Sequence, residues 1–430
     1  MDSLMLIVLN EPTGMWESIL DAFKGAMGSY ILAVILLAVI VRVIFSVVDI
    51  VNKRFTMKNS QINEKMKPEL EAVQKKYGHD KQLLQQKQSE IYKKYQFNMV
   101  GSCLPMLVAM ILQLVVFLTL WTGLQNVSNY NIAKSYENTK LVYYNVLLLN
   151  ENETLKNEVE TLIESETPYT LDVSIDFDNS LMTVSLSAND AEIYSEDVVM
   201  VARRGQGYLN EQIYNVLKNY ATEEKNEETG EVITPLSAYE QAIKTLAEEE
   251  TADFYLDNLE SFLWIKNIYK AESPLTSPVF AKDEITNYLN AYYSEDERAL
   301  EDEHDYEGQI FDYVVAGLNN RDVGVNGYFI LVILAVASSF LSIFLSNRLM
   351  KGTQANGGKM MYFIMPLILG IFTLMYTSLF AIYIIVGQLI MIALSPLNNL
   401  IVKKWISASD KKKEIKKQEA IDVDYRRKDI

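Results

Sequence analysis

The stretch AMGSYILAVILLAVIVRVIFSVV, residues 26–48, decides how the rest of the chain is read. As a helix it is about 35 Å long, enough to cross the ~30 Å hydrocarbon core of a bilayer, and its one charge is Arg42. Two further stretches, Gly101–Leu124 and Gly327–Leu345, carry no charge at all. Met360–Val402 is also uncharged and would be roughly 64 Å as a helix, twice the membrane thickness. It therefore reads as two crossings that turn near Tyr376–Ser378. The expected fold class is an α-helical polytopic membrane protein with five spans, at 26–48, 101–124, 327–345, 360–376 and 377–402.

Lys and Arg collect on the cytoplasmic side of membrane proteins, which sets the orientation. Residues 49–100 hold eleven of them, the 346–359 link holds Arg348, Lys351 and Lys359, and the 403–430 tail holds ten. With five spans these three segments fall on one face. That places the N-terminus and residues 125–326 outside and the C-terminus in the cytoplasm. The charge is correspondingly uneven. Residues 125–326 carry 13 Lys and Arg against 40 Asp and Glu, while the remainder is net basic within a chain of net charge −17.

The segments between the spans have their own patterns. Leu4–Leu9 is too short and lacks the flanks of a cleaved signal peptide. In 1–25, Met15, Trp16, Ile19, Leu20 and Phe23 recur at helical spacing, as in a short amphipathic helix lying on the outer membrane surface and interrupted by Gly25 and Gly28. In 49–100, Ile62, Met66, Leu70, Val73 and Tyr77 share one helical face. Gly78 and Asp80 then suit a helix end and the next N-cap, and Leu84, Ile91 and Tyr95 line a second helix. This predicts a helical hairpin. The acidic segment reads as a small α+β domain. Alternation at Val173, Ile175 and Phe177, then at Met182, Val184 and Leu186, flanks an Asp178-Asn179-Ser180 turn. Helices are expected over 210–221 and 237–270, the latter including Leu259, Phe262 and Leu263. Glu301–Asp305 matches no calcium-loop spacing and is read as a solvated face; Arg203–Gly207 is read as a turn.

One cysteine, Cys103, and two histidines, His79 and His304, leave almost no material for nucleophilic catalysis, a Cys-rich zinc site or a His relay. No enzyme, metal or cofactor is expected. The residue that asks for a function is Arg42, because a charge inside the membrane is costly. It lies about 9 Å from the inner end of its span, so it either snorkels to that surface or faces a hydrated cavity. No span contains an Asp or Glu to pair with it. Residues able to wall such a cavity are Ser46, Gln113, Thr119, Ser338, Ser339, Ser342, Thr373, Thr377 and Gln388.

Arg42 in an apolar first span is followed by Met66-x-Pro68-Glu69, Lys76-Tyr77-Gly78-x-Asp80, Ile91-Tyr92-Lys93-Lys94 and Asn98-x-x-Gly101-Ser102-Cys103-Leu104-Pro105. With these motifs the chain resembles the YidC/Oxa/Alb membrane-protein insertases over roughly 12–125 and 327–405. It is similar to Gram-positive-type members but has a large extracellular insertion. The resemblance implies a five-span insertase core in the bacterial plasma membrane, with a hydrophilic groove in which Arg42 draws in the polar end of a substrate. The resemblance points to Tyr383 and Gln113 for the groove, and the polar residues Ser46, Ser338, Ser342, Thr373 and Gln388 are the further candidates to line it. The hairpin residues are Met66, Pro68, Tyr77, Asp80 and Tyr92. Implied partners are nascent membrane proteins, the lipid bilayer, the ribosome, the Sec translocon and the signal recognition particle pathway. The basic tail, with Lys411, Lys412, Lys413, Lys416 and Lys417, is the expected ribosome contact. Departures are Ala109 where many members have Gln, and Tyr376-Thr377-Ser378-Leu379 where Pro-Ser-Gly-Leu is usual. The competing readings are a secondary transporter or channel, which would want charge-paired or broken spans, and a membrane-anchored sensor.

Overall fold

The computed structural model describes residues 9–95, 97, 99–177, 179–201, 208–220, 236–349 and 359–428. The protein is mostly helical and divides into two units: Gly14–Gln125 with Phe329–Ile430, and Met1–Thr13 with Asn126–Tyr328. Helix α4 (Met99–Leu147) contributes residues to both units.

The first unit is built from α1 (Met15–Met27), α2 (Tyr30–Tyr77), α3 (Lys81–Lys94), the first half of α4, α12 (Ile330–Leu349), α13 (Lys359–Met375) and α14 (Ser378–Lys428). The segments around 30–77, 107–151 and 378–411 are each long and apolar enough to cross a bilayer, and Ile330–Leu345 and Phe363–Met375 are shorter apolar helices. Beside its buried aliphatics, this unit has an apolar outer face that a water-soluble fold would not expose. Val43, Ile44 and Val47 on α2 are 51, 61 and 64% exposed, and Leu107–Leu118 on α4 carries a run of exposed aliphatics. Ser338, Ser339, Ser342, Thr373, Ser378, Ser395 and Asn398 are buried between helices. Outward apolar and inward small polar residues are what a lipid surround selects. Helix α1 ends at Gly28, whose φ of 77° only glycine adopts without strain; Gly25 lies inside the helix and does not interrupt it. The expected first span and first hairpin helix are one continuous helix, α2. It ends at Tyr77, after which Asp80 caps α3 by accepting from the N–H groups of Gln82 and Leu83. Helices α13 and α14 meet at the expected turn, between Met375 and Ser378.

The second unit packs around the later half of α4, where Tyr136, Tyr143, Tyr144 and Leu141 are fully buried. Around it lie α5 (Glu153–Glu164), a three-stranded antiparallel sheet, α6 (Leu209–Tyr220) and α7 (Ala238–Asp257). Four short helices follow, α8 (Lys282–Tyr292), α9 (Glu295–His304), α10 (Tyr306–Val314) and α11 (Ala316–Asn319). The expected hairpin is present as β1 (Tyr169–Asp176) and β2 (Leu181–Ala188), with Val173 opposite Val184 and Leu171 opposite Leu186. A third strand, β3 (Ala191–Val199), extends it, which the sequence reading did not anticipate. Asp178 and Arg203–Gly207 lie outside the described residues.

Two expectations need correction. The helix expected over 237–270 stops at Asp257. Asn258 closes it, Leu263 takes a positive φ, and Leu259 packs irregularly against a cluster of Ala252, Tyr255, Val279 and Leu318. Glu301 is not a solvated residue. It is buried, with Tyr208 donating to it at 2.9 Å and the Glu307 N–H closing on its other oxygen.

Glu301 is the edge of a buried charge cluster centred on Lys140, whose side chain is 0% exposed. The Lys140 ammonium donates to Glu137 at 2.6 Å, Glu307 at 2.9 Å and Asn210 at 2.5 Å. Tyr293 donates to Glu137 at 2.9 Å. Burial alone would lower the Lys140 pKa, but the two carboxylates raise it; burial raises Glu137 and Glu301. Removing one member of such a pair leaves an uncompensated charge, at a cost of about 3–5 kcal/mol. Lys140→Met is therefore expected to unfold this unit at markedly lower temperature, read by protease resistance of the full-length chain in detergent. Burial and the nearby Asp253 and Asp172 push the Glu250 carboxyl up to about 7. A carboxyl with a raised folded-state pKa holds its proton longer folded than unfolded, so its stabilisation is lost as pH rises through that value. The unit should unfold at higher temperature at pH 6 than at pH 8, and Glu250→Gln should flatten that difference.

Candidate functional site

The candidate site is the polar seam where α2 runs beside α14. Arg42, Ser46, Asp49 and Lys53 recur at steps of four, three and four, which places them on one face of α2. Ser46 donates to the Asn398 side-chain oxygen at 3.1 Å, and the Lys53 ammonium donates to Ser395 Oγ at 3.2 Å. Below them the Arg54 guanidinium stacks 3.8 Å from the centre of the Trp405 ring. The α2 side chains therefore meet a polar, then aromatic, stripe of α14.

Arg42 is half-buried, and its Nε is fully buried with no hydrogen-bond partner among the described residues. The guanidinium lies against Gly387: a Cβ there would fall 2.8 Å from Nε, so the glycine makes room for the charge. Tyr383, buried one turn earlier on α14, lies within the arginine's electrostatic range. Ser46, one turn on along α2, meets Asn398, well beyond Gly387.

Asp49 is the residue the sequence reading passed over. It stands one position after the expected span, so the search for an acid inside the spans ended just short of it. Its carboxylate is within the electrostatic range of Lys53 and Arg42 and within hydrogen-bonding reach of the Gln113 side chain on α4. One turn further along α4, Phe117 packs edge-on against Phe372 and Phe380, and one turn beyond that Trp121 packs against Tyr376. Thr119 accepts from the Trp16 indole of α1 at 3.0 Å.

The other expected groove residues are distributed unevenly. Arg42, Ser46, Gln113 and Tyr383 converge on the seam. Ser338 and Thr373 are buried but give their hydroxyls to the backbone of their own helices, at Ala335, Leu369 and Gly370. Ser342 is buried on α12, and Gln388 is half-buried on α14 next to Gly387.

In the hairpin, Met66 is 0% exposed, Pro68 is exposed inside α2, Asp80 caps α3, and Tyr92 packs on Phe97 at 5.7 Å. Tyr77 is half-buried beside the Lys76 ammonium. Glu69 ties the two helices together, accepting from Lys94 and Tyr95 at 2.7 Å each. Lys411 is exposed on α14 and shares one open face of that helix with Lys403, Lys404 and Ser407. The side chains of Lys412, Lys413, Lys416 and Lys417 lie outside the described residues.

Residues 22–164 match the family model described as 60Kd inner membrane protein. Curated relatives described as membrane protein insertase YidC match part of the chain. The one from Oleidesulfovibrio alaskensis is 36% identical over 107 residues, 25% of this chain and 18% of the relative. The one from Clostridium tetani is 43% identical over 79 residues, 18% of this chain and 34% of the relative. The one from Hahella chejuensis is 34% identical over 110 residues, 25% of this chain and 18% of the relative. The chain thus spans a fifth to a third of the length of these relatives. No solved structure matches. The matched stretch takes in α2, the α2–α3 hairpin and α4, with Arg42, Asp49, Lys53 and Gln113 among its residues, and over it the resemblance to the YidC/Oxa/Alb insertase family read from the sequence is borne out.

Proposed function

We propose that this chain is a membrane protein insertase of the plasma membrane, without enzymatic chemistry. It crosses the bilayer five times, with the N-terminus and the acidic unit outside and the hairpin and C-terminus in the cytoplasm. In this reading the α2–α14 seam is a hydrated groove. Arg42 attracts the polar, often acidic, end of a nascent membrane protein while the substrate's apolar segment moves into lipid. One observation carries the reading: an arginine with a buried, unpartnered Nε on an apolar helix of the insertase-family stretch. Such a charge is costly unless it works on something. The tail starting at Lys403 and extending through Lys411 to Lys417 is taken as a ribosome contact, and the Sec translocon and the signal recognition particle pathway as delivery partners.

Asp49 and Lys53 on one helical face give a transporter reading some of the charge pairing it would want. Complementation separates the two. An insertase should restore growth and membrane-protein insertion to a bacterium depleted of its own YidC, and a transporter should not.

The role of Arg42 follows from its charge. A carboxylate about 5 Å away at an effective dielectric near 20 is attracted by about 3 kcal/mol before desolvation is subtracted. Arg42→Lys should keep much of the insertion rate, because a point charge suffices. Arg42→Ala should slow single-span substrates with acidic outer tails about tenfold, and Arg42→Glu more. Protease protection of such substrates in vesicles reads this. Equal insertion by all three variants at matched expression would count against the groove.

A further inference from the structure

Two cations and one anion share the seam face of α2, and each is differently engaged. Lys53 is committed to Ser395 on α14. Asp49 is half-buried on that face, between Ser46, which bonds to Asn398, and Lys53. Arg42 keeps a buried Nε without a partner. Arg42 and Asp49 are seven residues apart, two helical turns and about 10 Å along the axis. At that spacing Asp49 is too far to close an ion pair on Arg42 along the helix, yet near enough to repel another carboxylate arriving there. Asp49 lies on the same α2 face as Ser46 and Lys53, both of which bond to α14, so when ionised it is an anion beside the cation that does the attracting.

We propose that Asp49 is the specificity-determining counter-charge of the Arg42 seam, setting how acidic a substrate tail the seam accepts. The proposal rests on the insertase reading and adds a residue to it. With Asp49 ionised the stripe of Arg42, Asp49 and Lys53 carries one net positive charge; without it, two. A substrate carboxylate approaching Arg42 meets repulsion from Asp49 over about the same 10 Å. Bare Coulomb repulsion at an effective dielectric near 20 is a little over tenfold in binding, and water in the groove reduces it to roughly three- to tenfold. The effect scales with the number of substrate carboxylates and vanishes for a neutral tail. Asp49 is thus a filter against highly acidic tails, not part of the attraction itself.

The test uses the full-length chain in vesicles and two single-span substrates that differ only in having an acidic or a neutral outer tail. The readout is the ratio of their insertion rates. Asp49→Asn should raise the acidic-to-neutral ratio roughly three- to tenfold, and Asp49→Glu should leave it at the wild-type value. Ser46→Asp, which adds a carboxylate one turn from Arg42, should lower the ratio; it carries the test alone if Asp49→Asn reaches the membrane poorly. In an Arg42→Ala background Asp49→Asn should change the ratio less than about twofold, because the attraction it modulates is gone. If Arg42→Ala slows the acidic substrate while Asp49→Asn and Ser46→Asp leave the ratio unchanged, the counter-charge role is overturned and the groove stands. If Arg42→Ala inserts both substrates at wild-type rates, the groove reading falls and the counter-charge with it.

Discussion

An arginine whose buried Nε has no hydrogen-bond partner among the described residues constrains the whole apolar unit. Taking a guanidinium out of water costs several kcal/mol, and packing alone does not return it. The surrounding residues fit that constraint. Gly387 gives up a side chain so that the guanidinium can lie on α14. Ser46 and Asn398 place a hydrogen bond where two apolar faces would otherwise meet. Lys53, Asp49 and Gln113 continue the polar line towards the hairpin. Helices α2 and α14 are held by a seam that stays polar over several turns, while their opposite faces carry the exposed Val43, Ile44 and Leu389.

The two units solve the burial of charge differently. In the acidic unit, Lys140 is enclosed by Glu137, Glu307 and Asn210, and the balance of charges locks α4 to α6 and α10. That closed network is a structural device, costly to break and insensitive to what lies outside it. The Arg42 seam is an open one, with a buried donor atom left without a partner. Closed networks rigidify, whereas an unsatisfied buried group calls for an explanation, which the proposed substrate contact supplies for Arg42.

Much of this was legible in the sequence, for identifiable reasons. Arg42 stood out because nothing else in 26–48 is charged, and the hairpin because Gly78 and Asp80 punctuate two periodic runs. Asp49 did not stand out. Scanning for uncharged stretches ends a span at its first acid, so the residue that closes the stretch is assigned to the loop, although α2 continues unbroken to Tyr77. The long helix expected over 237–270 failed because Leu259, Phe262 and Leu263 mimic helical spacing while serving an irregular loop that packs on Tyr255 and Val279. Strand β3 was missed because Glu192, Glu196 and Asp197 hide the alternation; it is an edge strand with little to bury. Glu301 looked solvated because its neighbours are acidic, and only the fold brings Tyr208 and Asn210 to it.

In the proposed groove, substrates pass along the Arg42 face of α2 and not along its lipid face. Photoreactive residues placed singly at Ser46 and Tyr383 on the seam, and at Val43 and Ile44 on the exposed face, measure this directly in membranes engaged with a stalled single-span nascent chain. The account predicts strong crosslinks to the nascent chain's polar end from Ser46 and Tyr383 and weak ones from Val43 and Ile44. Crosslinks to that polar end from Val43 and Ile44 alone, with Ser46 and Tyr383 silent, would contradict it.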